Sequence, residues 1–383
     1  MSEPGAGSPG QRFPRIRISG DAATRSAQYG ALARTEILRT RAGYERAFAA
    51  KGVGWEEAVA VALGFVPAIE QHFPELATEL RGIAAGAGLP FGDIVALNCR
   101  TEILWRAAVA QDAAASPSHE LRGECSSFAL EPDRTAARHA LVGQNWDWLD
   151  VLADGVIVLE VERPDGPNFV TVVEAGLLAK TTMNANGVAI GINTIVCSLD
   201  GGPHGVPFHV FVRAAADAAH ASDVVELLAS APRASSGNFI VATADGAVLN
   251  VETAPGDART VHPIIADDGA AIHTNHFVRR PAGGFDLAPV SMPDSFVRLG
   301  RLRRTIAARQ RPLGIPELQA ALADHVDAPS SVCCHPDPRA ARAAQWATLV
   351  SAIMEPATRT MHLAEGTPCT APWHAHDYAA LLG

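Results

Sequence analysis

Cys125 heads a short apolar run, Cys125-Ser126-Ser127-Phe128-Ala129-Leu130, and follows a polar stretch that ends in Arg122-Gly123-Glu124. Taken alone, a free cysteine is most often a small buried hydrophobe. Here small hydroxylated residues follow it, as suits a strand whose first residue must be reached, and the segment before it could be strained and cut. Cleavage of the Glu124–Cys125 peptide would give Cys125 a free α-amine, whose pKa of roughly 7.7–8.0 lets it accept a thiol proton near neutrality. Such a nucleophile carries its own base and needs no histidine.

A second run, Gly143-Gln144-Asn145-Trp146-Asp147-Trp148, follows closely. Further along come Glu79-Leu80-Arg81-Gly82-Ile83-Ala84 on the amino-terminal side, then Met183-Asn184 with Gly187, Thr274-Asn275-His276-Phe277, and a closing segment from Ser351 to Pro368. In this order the set resembles the acyl-coenzyme A:6-aminopenicillanic acid acyltransferase (penicillin acyltransferase, peptidase C45) group of self-processing cysteine N-terminal-nucleophile hydrolases. The resemblance covers nearly the whole chain. It implies an α+β fold, a four-layer αββα sandwich with two antiparallel sheets, and a precursor cut between Glu124 and Cys125.

The same resemblance implies roles. Cys125 would release itself and then form the acyl-enzyme, and Asp147 would lie beside it and orient its amine. Acyl transfer needs donors aimed at the developing oxyanion, each worth about 10²–10³ in rate. Asn193 and Asn275 match asparagines that serve the site in relatives, although either residue alone is more often a turn or strand terminator. More distant bile-salt and penicillin V hydrolases carry arginine three positions before the aspartate, where this chain has Gln144. Gln144 and its neighbour Asn145 are therefore expected on the substrate and amine side, in a less electropositive setting. His276 is expected to be structural or substrate-facing. Arg298 either serves the site or is an exposed helix arginine, because by register Ser295 stands nearer the relatives' arginine column. Many relatives also have glycine where this chain has Glu124.

The elements that must position these residues are legible as pattern. Arg15 to Gly20 alternates like an edge strand and stops at glycine. Helices are expected around Leu32 to Tyr44, over a buried run from Trp55 to Ile69 that Pro67 bends or ends, from Pro74 to Ala85 with a stop at Gly86-Ala87-Gly88, and over Asp93 to Trp105. Gln111 to Arg122 reads as a loop. After Cys125 the texture turns to strands at 127–130, 139–143, 156–161, 169–173, 177–181 and 188–193. Helices at 208–219 and 223–228 precede strands at 238–243, 248–253 and 272–274. Two further helices, 295–309 and 315–322, lead to a final strand pair at 348–354 and 360–364. Such blocks suit stacked layers around antiparallel sheets. Residues 1–124 are expected to form a mostly helical unit and residues 125–383 the catalytic core, the two pieces staying together as a heterodimer after the cut, with further homo-oligomerisation left open.

Composition bounds the partners. With 31 basic and 41 acidic residues the net charge is −10, which argues against nucleic acid and anionic membrane. The partner expected is a small amide or acyl compound. Six scattered cysteines are too few for a disulfide scaffold and point to a reducing, cytoplasmic setting, with no signal peptide at Met1 to Gln11 and no span of about 20 apolar residues. No cofactor is expected. A zinc site assembled from Cys333-Cys334-His335, Cys369 and His374-Ala375-His376 has poor spacing, since adjacent cysteines seldom both face one metal. The functional expectation is thus an amidohydrolase or acyltransferase working through an acyl-enzyme on Cys125. Acyl-coenzyme A-dependent N-acyl transfer, a zinc hydrolase and a non-catalytic small-molecule-binding protein are the alternatives.

Overall fold

The computed structural model describes residues 12–112, 125–309 and 311–383. The amino-terminal block is one strand and seven helices: β1 (Arg15–Ser19), α1 (Ala22–Leu32), α2 (Arg34–Ala49), α3 (Trp55–Leu63), α4 (Val66–His72), α5 (Pro74–Ala87), α6 (Phe91–Asn98) and α7 (Arg100–Asp112). Asp21 caps α1 by accepting from the Thr24 N–H at 2.8 Å, and Gly88, at φ 62°, turns the chain out of α5. Helices α1 and α5 approach so closely that a Cβ on Gly30 would lie 2.1 Å from the Ile83 carbonyl oxygen. Only glycine fits there.

After Cys125 come β2 (Cys125–Leu130), β3 (Leu141–Leu149), β4 (Val156–Glu162), β5 (Phe169–Glu174), β6 (Thr181–Asn184) and β7 (Val188–Asn193). Helices α8 (Phe208–Ala215) and α9 (Ala221–Ser230) then lead to β8 (Gly237–Thr243), β9 (Val248–Thr253), β10 (Val261–Ile265) and β11 (Ala270–His273). The chain closes with α10 (Ala288–Ser291), α11 (Asp294–Leu302), α12 (Ile315–Leu322), β12 (Trp346–Glu355), β13 (Thr360–Ala364), β14 (Trp373–Asp377) and α13 (Ala379–Leu382).

The strands make two sheets, an eight-stranded one in the order β1-β4-β5-β6-β7-β8-β9-β10 and a six-stranded one in the order β11-β2-β3-β12-β13-β14. Strand alternation separates their faces. Phe128 and Leu130 of β2, Leu141 of β3 and Ile353 of β12 pack outward on Leu302, Ile306, Leu318 and Leu322 of the α11–α12 region. Their neighbours Ala129, Val142, Ala352 and Met354 turn inward and join one core with the larger sheet. On that sheet's far side α2 lies against β4 and β5, and α9 against β8, β9 and β10. The result is the expected helix–sheet–sheet–helix stack, with one departure: β1 pairs with β4 in parallel.

Several local expectations are corrected. The run from Trp55 to Ile69 is two helices broken at Gly64-Phe65, and in α3 only Ala58 and Ala62 are buried. Pro67 opens α4 instead of ending a helix, as its missing N–H allows in a first turn. Residues 93–105 divide at Cys99. Leu177 to Lys180 is not strand: Gly176, at φ 95°, turns the chain, and β6 starts only at Thr181. Strands β10 and β14 were not expected; β10 carries Pro263, which an edge strand tolerates. Of the loop expected at 111–122, Gln111 and Asp112 end α7, and the remainder, with Glu124, lies outside the described residues. Among the described residues no helix is long and apolar enough to cross a membrane.

Candidate active site

Cys125 is the first residue of β2, paired in register with Trp146 of β3, and buried between the sheets. Burial pushes its thiol pKa up, while the charges of Lys180 and Arg298 and a hydrogen bond from the Asp147 backbone pull it back. At rest the sulfur therefore keeps its proton and needs a base.

Two residues hold the main chain of Cys125. Asn275, two positions past β11, accepts the Cys125 N–H on Oδ1 at 2.7 Å. Arg298, on α11 and fully buried, donates to the Cys125 carbonyl oxygen at 2.9 Å, to Ser126 Oγ at 3.1 Å and to Asn275 Oδ1 at 2.9 Å. The exposed-helix alternative for Arg298 is thereby excluded. Ser295 holds the neighbouring loop, accepting from the Asn275 N–H at 2.7 Å and pairing with His276 Nδ1 at 2.7 Å. One of the two Nδ2 hydrogens of Asn275 is taken by the Thr194 carbonyl at 2.7 Å. Its Oδ1 fixes the Cys125 main-chain nitrogen.

Asn193, the last residue of β7, faces β2 across the sheet interface. Its Oδ1 accepts from Ser127 Oγ at 2.6 Å and from Asn238 Nδ2 at 3.0 Å, while its buried Nδ2 has no partner among the described residues. A buried amide donor without an acceptor is costly unless something else accepts from it. An acyl oxygen on Cys125 would be such an acceptor.

The other expected site residues have different duties. Gln144 faces the larger sheet and grips the Ile192 backbone, donating to its oxygen and accepting from its N–H at 3.0 Å. Asn145 points the opposite way, to the helices, where Nδ2 donates to the carbonyls of Leu322 at 2.8 Å and Val332 at 2.7 Å. Both brace one layer against another, and strand alternation is the reason they diverge. Asp147 shares Asn145's face; its Oδ1 accepts from Thr348 Oγ1. His276 stacks on Phe296 at 4.0 Å between ring centres, and burial brings its pKa down to about 4, so its ring is neutral near pH 7.

Lys180 was missed. Only two of the 31 basic residues are lysines, Lys51 and Lys180, and the second stands in the apolar context Leu177-Leu178-Ala179, which was the available signal. Its Nζ lies 3.4 Å from the centre of the Trp146 ring and 3.2 Å from Glu174 Oε2. Burial brings its pKa down to about 7 against the pull of Glu174. Although burial opposes it, Glu174 is held below its usual range by Lys180, Arg100 and a hydrogen bond from Tyr44. Lys180 and Arg298 both bring positive charge toward Cys125, opposed by the charge of Asp147.

Beside this cluster opens a pocket of about 860 Å³, mouth included, walled by Leu104, Trp105, Trp148, Leu149 and Trp346 with Thr194 on the side of Asn275. Both parts of the chain build it. Its apolar walls suit an acyl or aromatic group.

The family described as acyl-coenzyme A:6-aminopenicillanic acid acyl-transferase matches residues 134–369, more than half of the chain, beginning after Cys125. The chain is 28% identical over 268 residues to the acyl-coenzyme A:6-aminopenicillanic-acid-acyltransferase 40 kDa form of Emericella nidulans, covering 69% of this chain and 68% of that protein. Among solved structures, a mutant conjugated bile acid hydrolase from Clostridium perfringens aligns at TM-score 0.46 and 12% identity, over 68% of this chain and 94% of that one. A penicillin V acylase from Agrobacterium tumefaciens aligns at TM-score 0.39 and 12% identity, over 67% and 87%.

Proposed function

Because the chain belongs to the acyl-coenzyme A:6-aminopenicillanic acid acyl-transferase family, we propose that it is a self-processing cysteine amidohydrolase acting on a small N-acyl substrate. The observation that carries this reading is the convergence of Asn275 and Arg298 on the main chain of Cys125, beside an apolar pocket.

In the precursor the Cys125 thiol adds to the Glu124 carbonyl carbon, and the peptide nitrogen leaves as the Cys125 α-amine. Water then hydrolyses the thioester, freeing the Glu124 carboxylate and the thiol. The new amine keeps its place on Asn275 Oδ1, with Asp147 close by to orient it. During turnover it takes the thiol proton, and the sulfur attacks the substrate carbonyl carbon. Asn193 Nδ2 donates to the oxygen that becomes negative. Collapse breaks the carbon–nitrogen bond, the α-ammonium returns its proton to the leaving amine, and water resolves the acyl-enzyme.

Lys180 stabilises the thiolate as a nearby cation. The apolar pocket takes the acyl side, and nothing in its lining marks a β-lactam, so hydrolysis of a small amide is preferred to acyl-coenzyme A-dependent transfer. The pieces before and after the cut stay together as a heterodimer, because β1 is the edge strand of the eight-stranded sheet, paired with β4, and Glu79 of α5 binds Arg213 of α8. A reducing, cytoplasmic setting keeps the thiol available.

Denaturing electrophoresis and intact mass of the parent beside Cys125→Ala test the reading. Two fragments ending at Glu124 and beginning at Cys125 are expected for the parent and one chain for the variant. Active parent that remains a single chain would sink it. A panel of N-acyl amino acids, amino-alcohol amides and acyl thioesters, with and without an added amine, separates hydrolysis from transfer.

A further inference from the structure

The zinc set rejected on sequence spacing fails for Cys334, His374 and His376, yet the fold gathers a different four. His325 and His335 flank Cys333 in the segment after α12, and Cys369 comes to them from the turn between β13 and β14. Their ligand atoms all lie within 4.8 Å of one another. His335 Nε2 is 3.1 Å from His325 Nε2, 3.4 Å from Cys333 Sγ and 3.4 Å from Cys369 Sγ.

These spacings can be set against a metal. A tetrahedral zinc ion with bonds of about 2.3 Å to sulfur and about 2.05 Å to nitrogen requires edges of roughly 3.3 Å between nitrogens, roughly 3.6 Å between nitrogen and sulfur and roughly 3.8 Å between sulfurs. The measured separations at His335 come within a few tenths of an ångström of those edges. With both imidazoles neutral the facing nitrogens can share one hydrogen bond; a cation between the four groups would instead take a lone pair from each nitrogen and from each thiolate. Two soft thiolates with two imidazoles select zinc over the oxygen-seeking cations. Cys333 is buried, His335 half-buried, and His325 and Cys369 exposed, so the site has an inner wall and an entry side.

We infer that His325, Cys333, His335 and Cys369 form a structural zinc site that ties the segment after α12 to the β13–β14 turn. The tie reaches the nucleophile's surroundings. Cys333 is followed by Cys334, whose N–H donates to Thr348 Oγ1 at 2.9 Å, and Thr348 in turn donates to Asp147. Val332, on the other side, accepts from Asn145. Zinc would thus lock the segment that backs Asp147. All four ligands come from the protein, so the ion has no open position for catalysis.

The test is metal analysis of the full chain purified with a reductant and incubated with zinc, beside Cys369→Ser and His325→Ala. Both changed residues are exposed, and circular dichroism checks that the variants fold. Roughly one zinc per chain is expected for the parent and a loss of most of it in each variant. A chelator should lower the parent's melting temperature and leave that of Cys369→Ser unmoved. Cobalt in place of zinc should give the intense d–d and thiolate charge-transfer absorption of a tetrahedral site. Absence of stoichiometric metal from the reduced parent, undiminished binding by Cys369→Ser, or a Cys333–Cys369 disulfide in peptide maps of anaerobically purified protein would each overturn the assignment.

Discussion

The Cys125 main-chain nitrogen donates to Asn275 Oδ1 across 2.7 Å. In the proposed mechanism, cutting the preceding peptide turns that nitrogen into the amine that serves as base, so Asn275 would place the base before it exists. Replacing Asn275 with alanine is expected to slow both processing and turnover, the latter by about 100-fold, as for a misplaced catalytic group. Timed electrophoresis and steady-state kinetics on processed protein check this. Turnover unchanged within twofold would contradict it.

Asn193 has the opposite polarity, offering an Nδ2 without a described acceptor. Asn193→Ala should lower kcat by about 10²–10³ and change KM little, because the donor is needed most when charge builds on the oxygen. A drop confined to KM would assign Asn193 to substrate binding.

Lys180 makes two pH predictions. Since its charge lowers the thiol pKa, Lys180→Met should label Cys125 with iodoacetamide several-fold more slowly than the parent at pH 6, where Lys180 is protonated, and the difference should shrink above pH 8, where the parent lysine is neutral. The second concerns stability. The folded pKa of about 7 lies below the ordinary 10.5, so between these values the unfolded chain binds more protons than the folded one. Stability from this group therefore rises as pH climbs above about 7 and is lost as pH falls back toward it. Urea unfolding of the parent between pH 7 and 9, minus that of Lys180→Met, should show this slope; a flat difference would place the lysine in a more solvated setting.

Glu79 joins Arg25 at 2.7 Å and Arg213 at 2.9 Å, all three being buried. Glu79→Gln leaves two buried guanidinium groups short of a counter-charge and is expected to cost about 3 kcal/mol, read from denaturant unfolding. Size-exclusion chromatography of processed variant should also show the fragments separating more readily than in the parent.

Ala344 lies on the pocket wall near Trp346. Ala344→Trp should raise KM for substrates with bulky acyl groups by about tenfold and spare acetyl substrates, the size of one lost hydrophobic contact. Equal effects on both would move the acyl group elsewhere.

Where a residue's task follows from local pattern, the sequence was legible. Val188–Asn193, Ile315–Leu322 and Thr360–Ala364 form as read, because period-two and period-three-to-four apolar spacing reports which face is buried. Gln144 and Asn145 show the limit. Their neighbourhood was recognised, but their partners are backbone groups of Ile192, Leu322 and Val332 in distant elements. Lys180 was invisible as a site residue because its meaning depends on Trp146 and Glu174. The proximity of the cysteine–histidine cluster was out of reach for the same reason, as chain spacing does not report that Cys369 folds beside His335.

From the sequence alone came the layered α+β class, the strand that opens at Cys125 and the alternation that separates inward from outward side chains, since these rest on residue chemistry and near neighbours. Only the tertiary structure decided that Arg298 reaches a carbonyl 173 residues away, that Asn275 accepts the Cys125 N–H, and that Lys180 comes close enough to Cys125 to bias its thiol. Those outcomes depend on strand order and on where helices cross the sheets. Packing of the whole chain sets both, and no short window of residues contains them.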